Sequence, residues 1–303
     1  MLNTKRSLFA LSMIIILLSS TAFSQRKPKA KKPALKAQDI IFAVLNDGKT
    51  IEPIGIIDKG ELIPAANTDN APAASFGKEF YRGNSRYKIV FGGASNGTVT
   101  VKSSDPNSDC ASYMATVASQ MTKGKLGGNV MALATNATVL PPAKFMRRMP
   151  TAQERKSAES LVRAEFAKNN VTAKQLFSQN LTAIDVDHDG VAELVGSYYV
   201  KPDAKSRALL FFIAEKGDGE EYSVVQTSFS ALKKDDIMNG ELSSVDGGVY
   251  NELLLDSLEY DGDDVNEIFT YTLSFEGAGF KTYSKREGKW VVAFENSNYH
   301  CAF

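Results

Sequence analysis

The feature that most constrains the fold of this 303-residue chain is an internal repeat of an acidic segment. Residues 181–195 read Leu-Thr-Ala-Ile-Asp-Val-Asp-His-Asp-Gly-Val-Ala-Glu-Leu-Val, and residues 255–269 read Leu-Asp-Ser-Leu-Glu-Tyr-Asp-Gly-Asp-Asp-Val-Asn-Glu-Ile-Phe. Glu193 aligns on Glu267, Asp189 on Asp263, Asp187 on Asp261 and Asp185 on Glu259, all at one constant offset. An apolar run follows each acidic stretch (Leu194–Val200, Ile268–Phe275), with further strand patterns behind it at Leu209–Ala214, Tyr222–Gln226, Phe280–Ser284 and Trp290–Glu295. Tight turns are expected at Gly217-Asp-Gly219 and Glu287-Gly288. A repeated unit that buries little by itself must pack on its neighbour, so the repeat predicts two related β-units side by side.

Asp185, Asp187, Asp189, Gly190 and Glu193 have the spacing of a calcium loop. A hard cation takes six to eight oxygens at about 2.3–2.6 Å. Alternate residues of a tight loop turn carboxylates to one centre, the Val191 carbonyl adds an oxygen, and Glu193 closes the shell. Gly190 permits the sharp turn, and His188, between two ligands, is expected to point outward. With no ion the crowded carboxylates would raise one another's pKa. The second loop offers Glu259, Asp261, Asp263, the Val265 carbonyl and Glu267 as a weaker set. There a longer Glu259 replaces the first Asp, and Asp264 stands where the glycine belongs; Asp tolerates left-handed backbone better than most residues. A helix–loop–helix calcium site is excluded. That motif needs Glu at its twelfth position, which here is Gly196.

The nine-residue acidic form followed by an apolar strand resembles the FG-GAP or VCBS repeats of integrin-α-like β-propellers. The resemblance spans about residues 175–303 in two copies. It implies calcium held in hairpin loops on one face of propeller blades, as in extracellular recognition proteins and the accessory domains of some enzymes. Two blades cannot close a propeller. Either the N-terminal strands supply divergent blades, or the two units form a partial, propeller-like pair stacked as sheets on the helix at 151–169; the second is the favoured expectation.

Residues 38–145 read as a β-rich domain with no family signature. Ile40–Leu45 and Thr50–Asp58 flank Asn46-Asp-Gly48 as a hairpin. Strands are expected at Tyr87–Phe91, Thr98–Lys102, Tyr113–Ser119 and Asn129–Ala134, with a short helix at Ala73–Tyr81. After the proline-rich break at 141–150, Thr151-Ala-Gln-Glu154 is a capping box. It opens a helix with Ala158, Leu161, Val162 and Phe166 on one face, ending at Asn169-Asn170. A second short helix is expected over Thr172–Ser178. The fold class is therefore mainly β with a helical connector, the helix and the two repeats occupying 150–303.

The first 24 residues have the layout of a secretory signal: Lys5 and Arg6, the apolar run Leu8–Leu18, then Ala22-Phe23-Ser24. Residues 25–37 form a basic Pro/Lys linker whose sharper reading is weak contact with an anionic surface. Residues 1–36 carry eight basic side chains and no acid, leaving 27 basic against 35 acidic in the body, which argues against nucleic acid. The mature chain has no expected transmembrane span. Export, to a periplasm or the exterior, allows Cys110 and Cys301 to pair or to remain two thiols. Two His and two Cys are too few for a Cys/His zinc site. Gly93-Ala-Ser95-Asn-Gly97 matches a nucleophile-elbow pattern but leads into an alternating strand, where the elbow requires a helix. The function expected is a non-catalytic, exported calcium-binding protein with a protein or glycan partner. The alternative is a secreted or periplasmic hydrolase with a stabilising calcium site.

Overall fold

The computed structural model describes residues 38–65, 73–141, 146–217 and 221–301. The signal and linker expected at 1–37, and part of the turn at 217–219, lie outside the described residues. The N-terminal strands are β1 (Asp39–Leu45), β2 (Thr50–Asp58), β3 (Glu61–Pro64), β4 (Arg86–Val90), β5 (Ser95–Ser104), β6 (Ala115–Met121) and β7 (Ala132–Thr135), with helix α1 (Ala73–Phe80) between β3 and β4. Their order β1-β7-β4-β5-β6-β2 closes through a β1–β2 pairing into a six-stranded antiparallel barrel, and β3 extends β2. Asn46, Asp47 and Gly48 of the β1–β2 turn all have positive φ, which Asn, Asp and Gly tolerate best. In β1 the even residues Ile40, Phe42 and Val44 fill the barrel beside Phe76 and Phe80 of α1. The odd residues Ile41, Ala43 and Leu45 face outward into a second core. Both faces are buried, so β1 is a continuous apolar run rather than an alternating one.

The C-terminal half forms two antiparallel sheets. The first contains β8 (Arg147–Arg148), β9 (Phe177–Ile184), β10 (Glu193–Val200), β11 (Ser206–Lys216) and β12 (Tyr222–Lys233) in the order β12-β11-β10-β9-β8. The second contains β13 (Glu252–Leu258), β14 (Glu267–Ser274), β15 (Gly277–Arg286) and β16 (Lys289–Tyr299) in sequence order. Each repeat is thus one four-stranded antiparallel unit whose first hairpin carries the acidic loop. Glu193 pairs with Ile184 in one copy and Glu267 with Leu258 in the other, so the repeat preserves the register of the hairpin.

Four layers follow from which faces are apolar. Helix α2 (Ala152–Lys168) buries Ala158, Val162 and Phe166 against Leu194, Leu210 and Phe212 of the first sheet. Its capping box is formed: the Glu154 N–H donates to Thr151 Oγ1 (3.2 Å) and the Thr151 N–H to Glu154 Oε2 (2.7 Å). The other face of that sheet (Ile184, Val186, Val195, Phe211, Ile213) meets Leu254, Ile268, Tyr283 and Trp290 of the second. The far face of the second sheet (Leu253, Leu255, Phe269, Phe280) covers the outside of the barrel. The two repeats therefore stack as a sheet pair with the helix on one side and the barrel on the other. A short helix α3 (Leu242–Asp246) precedes β13. The helix expected over Thr172–Ser178 is not formed: 172–176 is irregular and Phe177–Ser178 open β9. Phe177 and Ser178 pair with Tyr199 and Tyr198 of β10, and that cross-strand pairing overrides the local capping pattern at Thr172.

Two ties hold the chain's end to the barrel. Cys110, between β5 and β6, forms a disulfide with Cys301, with 5.0 Å between Cα atoms. It spans 191 residues. Beside it His300 Nε2 lies 2.8 Å from the buried Glu52 carboxylate, and this hydrogen bond raises the histidine pKa against the effect of burial. Asn298 and Asn296 donate to the Pro53 and Ile54 carbonyls of β2. Among the described residues, no helix is long and apolar enough to cross a membrane.

Candidate metal centre

Hairpins β9–β10 and β13–β14 each gather three carboxylates whose oxygens lie within 4.8 Å of one another. In the first these are Asp185, Asp187 and Glu193; in the second, Glu259, Asp261 and Asp263. Either group could hold a metal ion.

The loops are built alike. Glu193 Oε2 accepts from the Val186 N–H at 2.9 Å, and Glu267 Oε2 from the Tyr260 N–H at 3.3 Å. Asp189 Oδ1 accepts from the Val191 N–H at 2.6 Å, and Asp263 Oδ1 from the Val265 N–H at 2.8 Å. Left-handed backbone recurs at His188 and Gly262 and again at Gly190 and Asp264. Asp264 thus takes the conformation of the glycine it replaces. His188, exposed, turns outward as expected, and its Nδ1 contacts Met146 Sδ.

Not every candidate converges. Asp189 lies outside the first group of three, although its repeat counterpart Asp263, with the same backbone contact, belongs to the second. Glu267 lies outside the second group, yet it is only 1% exposed and its Oε1 has no hydrogen-bond partner. Asp185 Oδ1, Asp187 Oδ1 and Glu259 Oε2 are likewise buried and unpartnered. A buried oxygen without a donor costs free energy that a cation would remove. Val191 is exposed, and Val265 is packed against the core between the sheets.

The electrostatics agree. Burial first, then the charges of Asp187 and Glu215, pushes Glu193 up to about 8, against the opposing pull of the Val186 N–H. Burial, then Asp261, Glu259 and Asp263, pushes Glu267 up to about 9. Glu259 is raised by burial and by Asp261 and Asp263. With no cation these buried glutamates favour their neutral forms.

Three residues of the first centre come from distant strands and carry no signal in the sequence. Glu215 of β11 accepts from Trp290 Nε1 of β16 at 2.6 Å. Lys285 of β15 lies 2.8 Å from Glu215 and 3.6 Å from Asp187. Lys285 is a partial counter-ion, and a divalent ion at Asp187 competes with it. Trp290 is the chain's single tryptophan, so it is an intrinsic reporter for the first centre. Titration with a divalent cation is expected to change its emission saturably in the parent and in Asp261→Asn, but not in Asp187→Asn. An equal response in all three proteins removes the coupling.

No protein-family model, curated protein or solved structure matches this chain.

Proposed function

We propose that the chain is an exported calcium-binding protein of the FG-GAP/VCBS type, non-catalytic, in which the ions stiffen two hairpins of a partner-binding module. The observation that carries this reading is the duplicated loop: the same backbone–carboxylate hydrogen bonds and left-handed positions recur in both copies around oxygen-only donor sets. Carboxylates and carbonyls select hard cations, and calcium accepts irregular oxygen geometry where magnesium requires a near-ideal octahedron. The protein or glycan partner and the location outside the cytoplasm belong to the same proposal. The Cys110–Cys301 disulfide supports export, since such bonds persist in oxidising compartments.

Calorimetric titration of the chain from Gln25 onward with calcium tests the proposal. Two binding events are expected, with magnesium weaker at both. Asp187→Asn is expected to remove one event and to cut the calcium-dependent rise in Tm by roughly half; Asp261→Asn is expected to remove the other. No heat of binding, together with a Tm indifferent to calcium, refutes it. Calcium-dependent turnover of an ester, peptide or glycan, abolished by a substitution outside both loops, would favour the hydrolase alternative.

A further inference from the structure

A cleft of about 540 Å³ lies between β9 and the barrel, and its lining residues include none of the loop carboxylates. Its walls include Phe91, Val130, Met149 and Leu181, and its charged lining residues among the described ones, Arg147 and Arg148, are ion-paired with Asp256 and Glu154. Met149 is 73% exposed at the rim, and Val130 is exposed beside it.

The cleft occupies the position of a missing strand. On one side β9 pairs with β10 from Phe177 to Ile184. On its other side it pairs only with the two-residue β8, at Ala183 and Ile184. Among the described residues no strand lies beside 177–182 on that side. The chain leaves this lane at Met149 because Pro150 has no N–H to continue the ladder and Thr151 caps α2. Asp185 N–H donates toward β8, to the Met146 carbonyl. Antiparallel strands turn alternate residues to the same side, so Leu181 presents its N–H and C=O to the vacant lane. Further along the same edge, Asn129 Nδ2 donates to the Gln179 carbonyl at 3.0 Å, a side-chain amide where a backbone N–H would sit.

Two further groups lack partners. Asn180 lines the cleft, and its Nδ2 and Oδ1 are buried without a hydrogen bond. Arg147 is 7% exposed and stacks on Phe91 at 4.6 Å. Its Nη1 donates to Asp256 and to the Met131 and Leu255 carbonyls, while its Nε and Nη2 make no hydrogen bond among the described residues. Unmade donors at a sheet edge beside an apolar cleft are the ingredients of strand addition.

We infer that this cleft binds an extended, uncharged peptide, which pairs with the β9 edge at Leu181 in continuation of β8 and offers a carbonyl acceptor to Arg147. Main-chain hydrogen bonds supply the register, and one apolar side chain fills the space between Val130, Met149 and Phe91. At about 3.3 Å per residue the stretch from Asn180 to Thr182, beyond the Asn129 contact, accommodates roughly three residues. Arg147 is paired with Asp256 and Arg148 with Glu154, so the lining is charge-balanced and the chain's own lysine-rich linker gains no ion pair there. The inference does not depend on the ion sites, and the test can be run with calcium or with a chelator.

The probe is a library of N-acetylated pentapeptides built from Val, Leu, Thr and Ser, presented to the chain from Gln25 onward. A matched library is N-methylated at alternate amides. Selection of unmethylated peptides is expected, with the Leu181 amide slowed in hydrogen exchange and binding weakened at least tenfold in Met149→Lys and in Val130→Lys. Both substitutions are at exposed positions, so the fold is retained. Absence of selection overturns the inference. Equal binding of the methylated library also overturns it and leaves a cleft for apolar ligands generally. A concentration-dependent dimer abolished by Met149→Lys, without peptide selection, overturns it in favour of a second copy of the chain.

Discussion

In the absence of divalent ions the protein is expected to lose stability as the pH rises from about 4.5 toward 9, and saturating calcium is expected to flatten that profile. Glu193 is 4% exposed and Glu267 1%; they are held up at about 8 and about 9. Above the ordinary glutamate pKa, near 4.3, the unfolded chain has released these protons while the folded chain still holds them. Stability then falls by up to about 1.4 kcal/mol per pH unit for each group, and the decline ends once both have ionised in the folded state. A bound cation stabilises the ionised forms and displaces the protons. Near pH 7, calcium binding is therefore expected to release close to one proton per site, measured by calorimetry in buffers of different ionisation enthalpy. At a thousandfold excess over Kd, calcium contributes about 4 kcal/mol per site, a rise in Tm of roughly 10 °C for a unit of this size. A profile that is level from pH 5 to 9 without calcium would mean that Glu193 and Glu267 do not retain their protons in the fold.

The second large effect is expected at the buried ion pair between barrel and sheet. Asp256 is 0% exposed, and Arg147 Nη1 meets its Oδ2 at 2.8 Å. Asp256 Oδ1 accepts from the Gly93 and Ser257 N–H groups at 2.9 and 2.8 Å. Arg147→Met strands a carboxylate in the interior and leaves two carbonyls without a donor. It is expected to cost about 3–5 kcal/mol in chemical denaturation. Adding Asp256→Asn to it is expected to recover part of the loss, because the stranded charge is gone. If Arg147→Met unfolds at the parent's denaturant concentration, the pair has no structural weight. Gly93 belongs to the same contact. Its φ is positive, and a Cβ there would stand 2.4 Å from Asn266 Nδ2. The glycine of Gly93-Ala-Ser95-Asn-Gly97 is thus required for barrel–sheet packing, and Ser95 simply opens β5, the second strand of a hairpin.

Much of the architecture was legible because local chemistry and tertiary packing agree. Thr50–Asp58 forms β2 at its expected ends, the Thr151–Glu154 box starts α2, and the apolar runs behind each acidic loop become β10 and β14. The Thr172–Ser178 segment misled because a capping pattern without an apolar face is weak against strand pairing. The barrel was legible only as a β-rich domain. Closure depends on the β1–β2 and β1–β7 pairings together, and the second joins the first strand of the barrel to its last in chain order.

The acidic loops show the same division within one site. Residue order alone determined the repeat, the alternating carboxylates and the left-handed position at Gly190, since these depend on neighbours a few bonds away. Only the tertiary structure decided that Glu267 lies buried with an open oxygen, and that Lys285, Glu215 and Trp290 adjoin the first loop. Charge and hydrogen bonding act through space over a few ångströms, and sheet stacking brings together side chains that lie on different repeats of the sequence.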